Sequence, residues 1–272
     1  MAPQPCDGGP PAGLVVQSVP RIGAPSVEVF QHAHVLPRRP VVLCGLVSDW
    51  PATRQWSLDY LQGAFATTLV TTARIKADMI EKDERKGLLF EYARFGEFID
   101  ALRAGARDRY MMSRMEELPQ DLRGDAPPPA YSADAPWQRG KLWISAPSTV
   151  SALHRDLADN LHAQVCGRKR FTLVAPCQSS LLYPNTLFDS LPNGCRIDIE
   201  HPDFTRFPRL RGVETLVAEL APADAIYIPR GWWHHVRTLD LSISVNFWWA
   251  RGVQRAIVVA SDWVKRLRGI AR

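Results

Sequence analysis

The chain has 272 residues, 46% hydrophobic and 22% charged, which excludes a disordered chain and leaves ample apolar material for a core. A formal net charge of +5 fits an acidic partner such as a carboxylate co-substrate, an acidic peptide or RNA, without choosing among them. Five cysteines (Cys6, Cys44, Cys166, Cys177 and Cys195) with no C-x-x-C spacing argue against a disulfide framework or a thiolate zinc site, and for a reducing compartment.

Residues 1–13 are rich in Pro and Gly and lack the apolar stretch of a secretory signal, and the rest of the chain has no run of eighteen apolar residues. A flexible leader, a cytoplasmic location and no membrane span are therefore expected. Pro40-Val41-Val42-Leu43-Cys44-Gly45-Leu46 reads as a buried strand, Ser57 to Phe65 as a helix, and Leu69 to Ile75 as another strand. Phe95, Phe98, Ile99 and Leu102 fall at i, i+3, i+4 and i+7, the spacing of an amphipathic helix over Phe95 to Ala104. Arg109 to Met112 is extended again, and Leu118 to Gln138 is a proline-punctuated loop. Residues 14–140 are expected to form an α/β support for the C-terminal half of the chain.

From Lys141 the pattern changes to short strands: Leu142 to Ser145, Leu161 to Cys166, Arg170 to Ala175, Thr215 to Leu220, Ala225 to Pro229 and Leu241 to Trp248. Close spacing with Gly and Pro turns predicts a mainly β fold over residues 141–250, a double-stranded β-helix or jelly roll of the cupin kind, with flanking α-helices. In the last strand Leu241, Ile243, Val245 and Phe247 alternate with Ser242, Ser244, Asn246 and Trp248, so one face packs and the other lines a polar space, normally the binding cavity. Residues 251–272 read as a helix with Ala256, Ile257, Ala260, Trp263, Val264, Leu267 and Ile270 on one face and Lys265, Arg266, Arg268 and Arg272 largely elsewhere. That face is expected to cover the barrel's own core. A dimer-forming helix is the sharper alternative, and a basic membrane-surface helix a third.

Two segments carry candidate chemistry: Ser151-Ala152-Leu153-His154-Arg155-Asp156 and Gly231-Trp232-Trp233-His234-His235. On an extended segment, alternation points His154 and Asp156 to the same face. A histidine from a distant strand completes two imidazoles and one carboxylate, the facial triad of non-haem Fe(II) oxygenases, which leaves positions open for co-substrate and dioxygen. His234 and His235 face opposite sides of a strand, so only one reaches such an ion, and strand geometry alone does not choose. His32, His34 and His201 stand alone and read as structural or exposed. Lys169, within Gly167-Arg168-Lys169-Arg170, has the alternative of a solvated hairpin charge. Trp232, Trp233, Trp248 and Trp249 are expected in the core rather than as stacking platforms.

The two segments recur with Asn160-Leu161-His162-Ala163-Gln164-Val165-Cys166-Gly167-Arg168-Lys169-Arg170, Leu182-Tyr183-Pro184, Asp198-Ile199-Glu200-His201-Pro202-Asp203, Phe207-Pro208, Tyr227-Ile228-Pro229 and Ser244-Val245-Asn246-Phe247-Trp248-Trp249. In that order they make residues 145–249 resemble the JmjC-type cupin dioxygenases. The stretch is most similar to the small JmjC-only hydroxylases, the kind that includes the asparaginyl hydroxylase acting on hypoxia-inducible factor. The upstream chain matches only loosely.

The resemblance implies Fe(II) on His154, Asp156 and His234, and the C5 carboxylate of 2-oxoglutarate on Lys169. Ser151, Asn160 and Asn246 would line the same pocket, and Tyr110, outside the matched stretch, would offer its phenol to the co-substrate carboxylate. Ser151 fits the family's Thr or Ser, whereas His162 stands where an apolar or aromatic residue is common, a departure that bears on the pocket or its substrate. The implied activity consumes O2 and 2-oxoglutarate and hydroxylates a side chain of a protein or peptide. Alternatives are a modified tRNA base, which the basic charge admits, and a small amino-acid-derived metabolite. An inactive cupin-like binding protein is the non-enzyme alternative, against which the intact His154, Asp156, His234 and Lys169 argue. Histone demethylation is less expected, because neither a reader domain nor a zinc module accompanies the core.

Overall fold

Two sheets face each other. The larger runs Leu69–Lys76, Arg109–Arg114, Trp137–Ser145, Ser242–Ala250, Asp159–Cys166, Ala225–Ile228, Val41–Cys44 and Arg21–Gly23. The smaller runs Val15–Ser18, Glu214–Leu220, Lys169–Val174, Trp233–Thr238 and Val150–Arg155, and Met79–Ile80 links it to the larger sheet. This is the jelly roll the strand spacing predicts. The computed structural model describes residues 13–83, 87–186, 189 and 191–267, and among these not the side chains of 82–88 and 265–267. The leader up to Pro11 and Ala12, the side chains of Lys265, Arg266 and Leu267, and all of Arg268, Ile270 and Arg272 lie outside the described residues.

Alternation along Ser242–Ala250 decides which side is which. Ile243, Val245 and Phe247 join Leu142, Ile144, Leu161 and Val165 in one core with Leu61 and Phe65 of the helix Leu58–Phe65 and Phe95, Phe98 and Ile99 of the helix Phe95–Arg103. Ser57 caps the first helix, its hydroxyl accepting from the Tyr60 N–H at 3.1 Å. The greasy face of the strand therefore packs against the upstream helices, and Ser242, Ser244 and Asn246 turn into the space between the sheets. Val42, Phe171, Leu173, Ala218, Leu220, Ile226 and Ile228 fill one side of that space. On the far face of the smaller sheet, Leu153, Val174 and Trp233 are covered by Leu182, Ile197, Ile199, Leu210 and Val213. A polar interior thus survives between two apolar layers.

Some elements depart from the expectation. The stretch read as a loop over Leu118 to Gln138 holds a short helix, Gln120–Asp125, anchored by the buried Leu122, and Trp137 already opens a strand. The helices Val27–Phe30 and Pro51–Gln55, the wider turn Gln31–Val35, and the edge strands Val15–Ser18 and Arg21–Gly23 have no counterpart in the sequence reading. At the C-terminal end the helix Gly252–Leu267 forms, but its apolar face does not cover the barrel core. Ile257, Trp263 and Val264 are 46%, 63% and 54% exposed, and the contact line runs instead through buried Val258, which packs with Ala158 and Ala250. Asp262, paired with Arg139 at 2.8 Å, and Gln254, bonded to the Leu157 carbonyl, fix that orientation. Among the described residues no helix is long and apolar enough to cross a membrane.

Candidate functional site

Val150–Arg155 pairs antiparallel with Trp233–Thr238 in a register that sets His154 opposite His234, and their rings stand 4.2 Å apart, centre to centre. Asp156 follows the strand, and its carbonyl accepts the Gly231 N–H at 2.8 Å, which ties the two segments together. Gly231 makes that turn at φ +84°, a backbone conformation that costs other residues a steric penalty. One donor atom from each of His154, Asp156 and His234 lies within 4.8 Å of the others. His154 Nδ1 meets the Ala152 carbonyl at 2.8 Å and His234 Nδ1 the Trp232 carbonyl at 3.2 Å, so each Nδ1 is the protonated nitrogen and each Nε2 keeps its lone pair for a metal. Burial, reinforced by His154, pushes His234 down to about 4, so it is neutral at physiological pH. The Trp248 indole N–H donates to Asp156 Oδ2 at 2.7 Å.

His235 turns to the opposite side of its strand, as alternation requires. There its Nε2 lies 3.6 Å from Glu200, which also accepts from Arg237 Nε at 2.6 Å. His34 meets the Arg39 carbonyl and His201 meets Asp198, while His32 is exposed, and none of the three joins the cluster.

Ser151 and His154 are three apart, so strict alternation would place them on opposite faces. A register shift between them turns both inward, and Ser151 hydrogen-bonds the Tyr110 hydroxyl. Burial pushes the Tyr110 phenol up, so it stays protonated, and its ring stacks on Trp143 at 5.5 Å. Lys169 is no solvated hairpin charge. It is 1% exposed, its Nζ donates to Ser244 Oγ at 3.0 Å, and burial pushes it down to about 7. Its neighbours face outward, Arg168 to Asp240 and Arg170 to Glu219. Gly167 sets this placement: at φ +68° it packs so closely that a Cβ would stand 2.1 Å from the Leu241 carbonyl oxygen. Asn246 Nδ2 donates to Asn160 Oδ1 at 3.1 Å and its Oδ1 accepts from Trp143 Nε1 at 2.6 Å.

The interior suits an anion next to a divalent metal. Among the described residues Lys169 has no carboxylate within ion-pair distance, and the buried Nε2 of His162 has no hydrogen-bond partner. Burial, with Lys169 and His234 nearby, pushes His162 well below its usual range and keeps it neutral. Such orphaned groups are costly unless something arrives to pair with them.

A cavity of about 490 Å³ leads outward from Asp156 past Lys141, Arg155 and Trp248 to Asp262 and Val264 of the C-terminal helix. The sequence reading missed Lys141 and Trp143. Their signal was present in Trp137–Ser145, where Arg139, Lys141, Trp143 and Ser145 alternate with the core residues Leu142 and Ile144. Trp233 and Trp249 are core residues as expected, but Trp248 is a wall of the cavity.

A jelly roll with two imidazoles and a carboxylate gathered at the mouth, and a buried lysine behind them, defines a cupin with a metal-binding donor set. The chain belongs to the cupin-like family, whose domain model matches residues 26–255, and within it to the JmjC cupins. It is 31% identical over 240 residues to Lysine-specific demethylase 8 of Xenopus tropicalis, covering 86% of this chain and 53% of that protein. To Jumonji C domain-containing protein 5 of Drosophila melanogaster it is 31% identical over 242 residues, 85% of this chain and 59% of that one. Lysine-specific demethylase JMJ30 of Arabidopsis thaliana is 29% identical over 249 residues, 89% of this chain and 57% of that one. The chain thus spans little more than half the length of these relatives.

Proposed function

We propose that this protein is an Fe(II)- and 2-oxoglutarate-dependent oxygenase that hydroxylates a side chain of a protein or peptide. The observation that carries the reading is a buried lysine without a carboxylate partner, in the same interior as two imidazoles and one carboxylate. His154, Asp156 and His234 would hold Fe(II), and with a single carboxylate among them they would leave it a net positive charge, which suits an anionic oxoacid. When bound, the iron and the oxoacid supply oxygen activation coupled to loss of carbon dioxide. Lys169, Ser151 and Tyr110 bind the far carboxylate, Asn160 and Asn246 shape the pocket, and Trp248 orients Asp156 from the opposite sheet. In this reading residues 141–250 are the catalytic core, 14–140 its support and 251–272 an accessory C-terminal segment of a cytoplasmic protein.

Lysine demethylation, named in two of the relatives, begins with hydroxylation of an N-methyl group and would use the same residues. The test is incubation with Fe(II), 2-oxoglutarate and candidate peptides. Succinate release with a one-oxygen mass gain on the peptide is the expected result. A tRNA base or a small amino-acid-derived metabolite gaining the oxygen moves the substrate, and iron binding without succinate from any of them leaves the inactive binding protein.

The exposed ridge of Ile257, Trp263 and Val264 supports a homodimer as its assembly. Sedimentation is expected to show a dimer that Trp263→Glu dissociates, and a monomeric parent protein sinks the idea.

A further inference from the structure

The outer cavity has an unbalanced charge. Arg114, Arg139, Lys141 and Arg155 line it against only Asp156 and Asp262. Both acids are already engaged, Asp262 by Arg139 at 2.8 Å and Asp156 by the metal donor set and Trp248. Arg155 lies over the Trp233 ring at 5.0 Å, and Arg114 is 3.8 Å from Glu117. Lys141 differs from the other three. Its Nζ lies 5.4 Å from the Trp143 ring and 5.7 Å from the Trp248 ring, and among the described residues it makes no hydrogen bond or ion pair. Its strand places it across from Asn246, one step outward from Trp143, so it faces the same space as the metal donors.

A cation beside a divalent metal centre needs an explanation. Neutralising Asp156 does not supply it, because the metal's two positive charges already exceed that carboxylate's one. Two indole faces hold the ammonium in place and keep water off one side, while its three N–H donors remain available to an acceptor. We propose that Lys141 receives a carboxylate of the prime substrate, so that the oxygenase acts on an acidic peptide segment and not on a methylated lysine. This rests on the oxygenase reading above. A methyl-lysine would bring a further positive charge into a rim whose four basic residues already outnumber its two acids, and like charges brought together discriminate strongly against a partner. The cavity, at about 490 Å³ and reaching the C-terminal helix, exceeds what a single free amino acid fills, which favours a peptide as the carboxylate's source.

The test uses the full chain with Fe(II) and 2-oxoglutarate, and three matched peptide sets flanked by Asp and Glu, by uncharged residues, or carrying trimethyl-lysine, with free aspartate and glutamate as a fourth arm. Succinate and product mass are one readout. Quenching of tryptophan fluorescence in protein loaded with Mn(II) and N-oxalylglycine is the other, and it needs no turnover. Acidic peptides are expected to bind about tenfold or more tighter than uncharged ones, the margin a charge-assisted contact provides. Lys141→Met should erase that margin through KM more than kcat, and Lys141→Arg should keep part of it. Preference for trimethyl-lysine peptides, no binding of acidic ones, or undiminished preference in a folded Lys141→Met variant overturns the proposal. Free aspartate binding as tightly as the peptides overturns the peptide source. Acidic peptides that quench fluorescence while no set yields succinate support the carboxylate site and count against the oxygenase reading alone.

Discussion

Trp248 Nε1 donates to Asp156 Oδ2 at 2.7 Å, so an indole of the larger sheet orients a carboxylate carried by the smaller one. Partners of this kind typically change metal affinity ten- to a hundredfold, so Trp248→Phe should weaken Mn(II) binding by about tenfold or more. His154→Ala should abolish it, while His235→Ala, on the other face of the strand, should keep one metal per chain. Calorimetric titration with Mn(II) checks all three, and a metal-free His235→Ala would reassign the donor set.

Lys169→Met keeps the aliphatic stem and removes the charge. Charge-assisted hydrogen bonds contribute about 1.5–3 kcal/mol each, so 2-oxoglutarate affinity should fall about ten- to a hundredfold or more while metal content barely changes. The pH dependence has a definite sign. Burial holds Lys169 at about 7, and a carboxylate bound beside it raises that value. Binding above pH 7 therefore takes up a proton, and affinity should weaken as pH rises from 7 towards 9. Titrations at pH 8 in buffers of different ionisation enthalpy should show the uptake in the parent protein and none in Lys169→Met.

His162 Nε2 is buried without a partner, and an unsatisfied group of this kind costs about 1–3 kcal/mol. His162→Leu should therefore leave the free protein as stable or more stable, yet shrink the rise in melting temperature that 2-oxoglutarate with Mn(II) produces. A variant with full ligand stabilisation would show that the imidazole takes no part in holding the co-substrate.

Burial alone would raise the Glu200 carboxyl, but the hydrogen bonds and the charge of Arg237 hold it below its usual range. A depressed carboxylate contributes stability that is present above its unfolded value and lost as pH falls through its folded one. Unfolding at pH 7 and pH 4 should therefore show a smaller loss in Glu200→Gln than in the parent protein, in which the buried His162, His234 and His235 also lose stability on acidification, with Glu200→Gln already destabilised at pH 7. Parallel pH curves would place the acid sensitivity elsewhere.

Much of the site was legible because strands with one greasy face advertise the other. Ser244 and Asn246 were placed in the interior by the alternation of Ile243, Val245 and Phe247 alone, and the helix from Phe95 by four apolar residues at helical spacing. Ser151 was not reachable this way, since only a register shift brings it to the side of His154. Val15–Ser18 was invisible for another reason: its four residues are exposed, and it exists through hydrogen bonds to Glu214–Leu220, a partner some 200 residues away. The C-terminal helix misled because an apolar stripe says that something covers it and not what. Val258 and the Arg139–Asp262 pair, rather than the stripe, set its orientation.

The strand order also has a consequence in time. Val15–Ser18 lies against Glu214–Leu220 at one edge of the smaller sheet, and Arg21–Gly23 extends the opposite sheet through Val41–Cys44, which itself pairs with Ala225–Ile228. Trp137–Ser145 has an early neighbour in Arg109–Arg114, but its other edge, like one edge of Asp159–Cys166, waits for Ser242–Ala250. During synthesis, then, Val15–Ser18 has no strand to join until Glu214–Leu220 has emerged, and Asp159–Cys166 gains both of its neighbours only with the late strands, and such long-range pairing makes for slow folding. Until that moment their open edges are free to pair with other chains, which makes the nascent protein a natural client for chaperones.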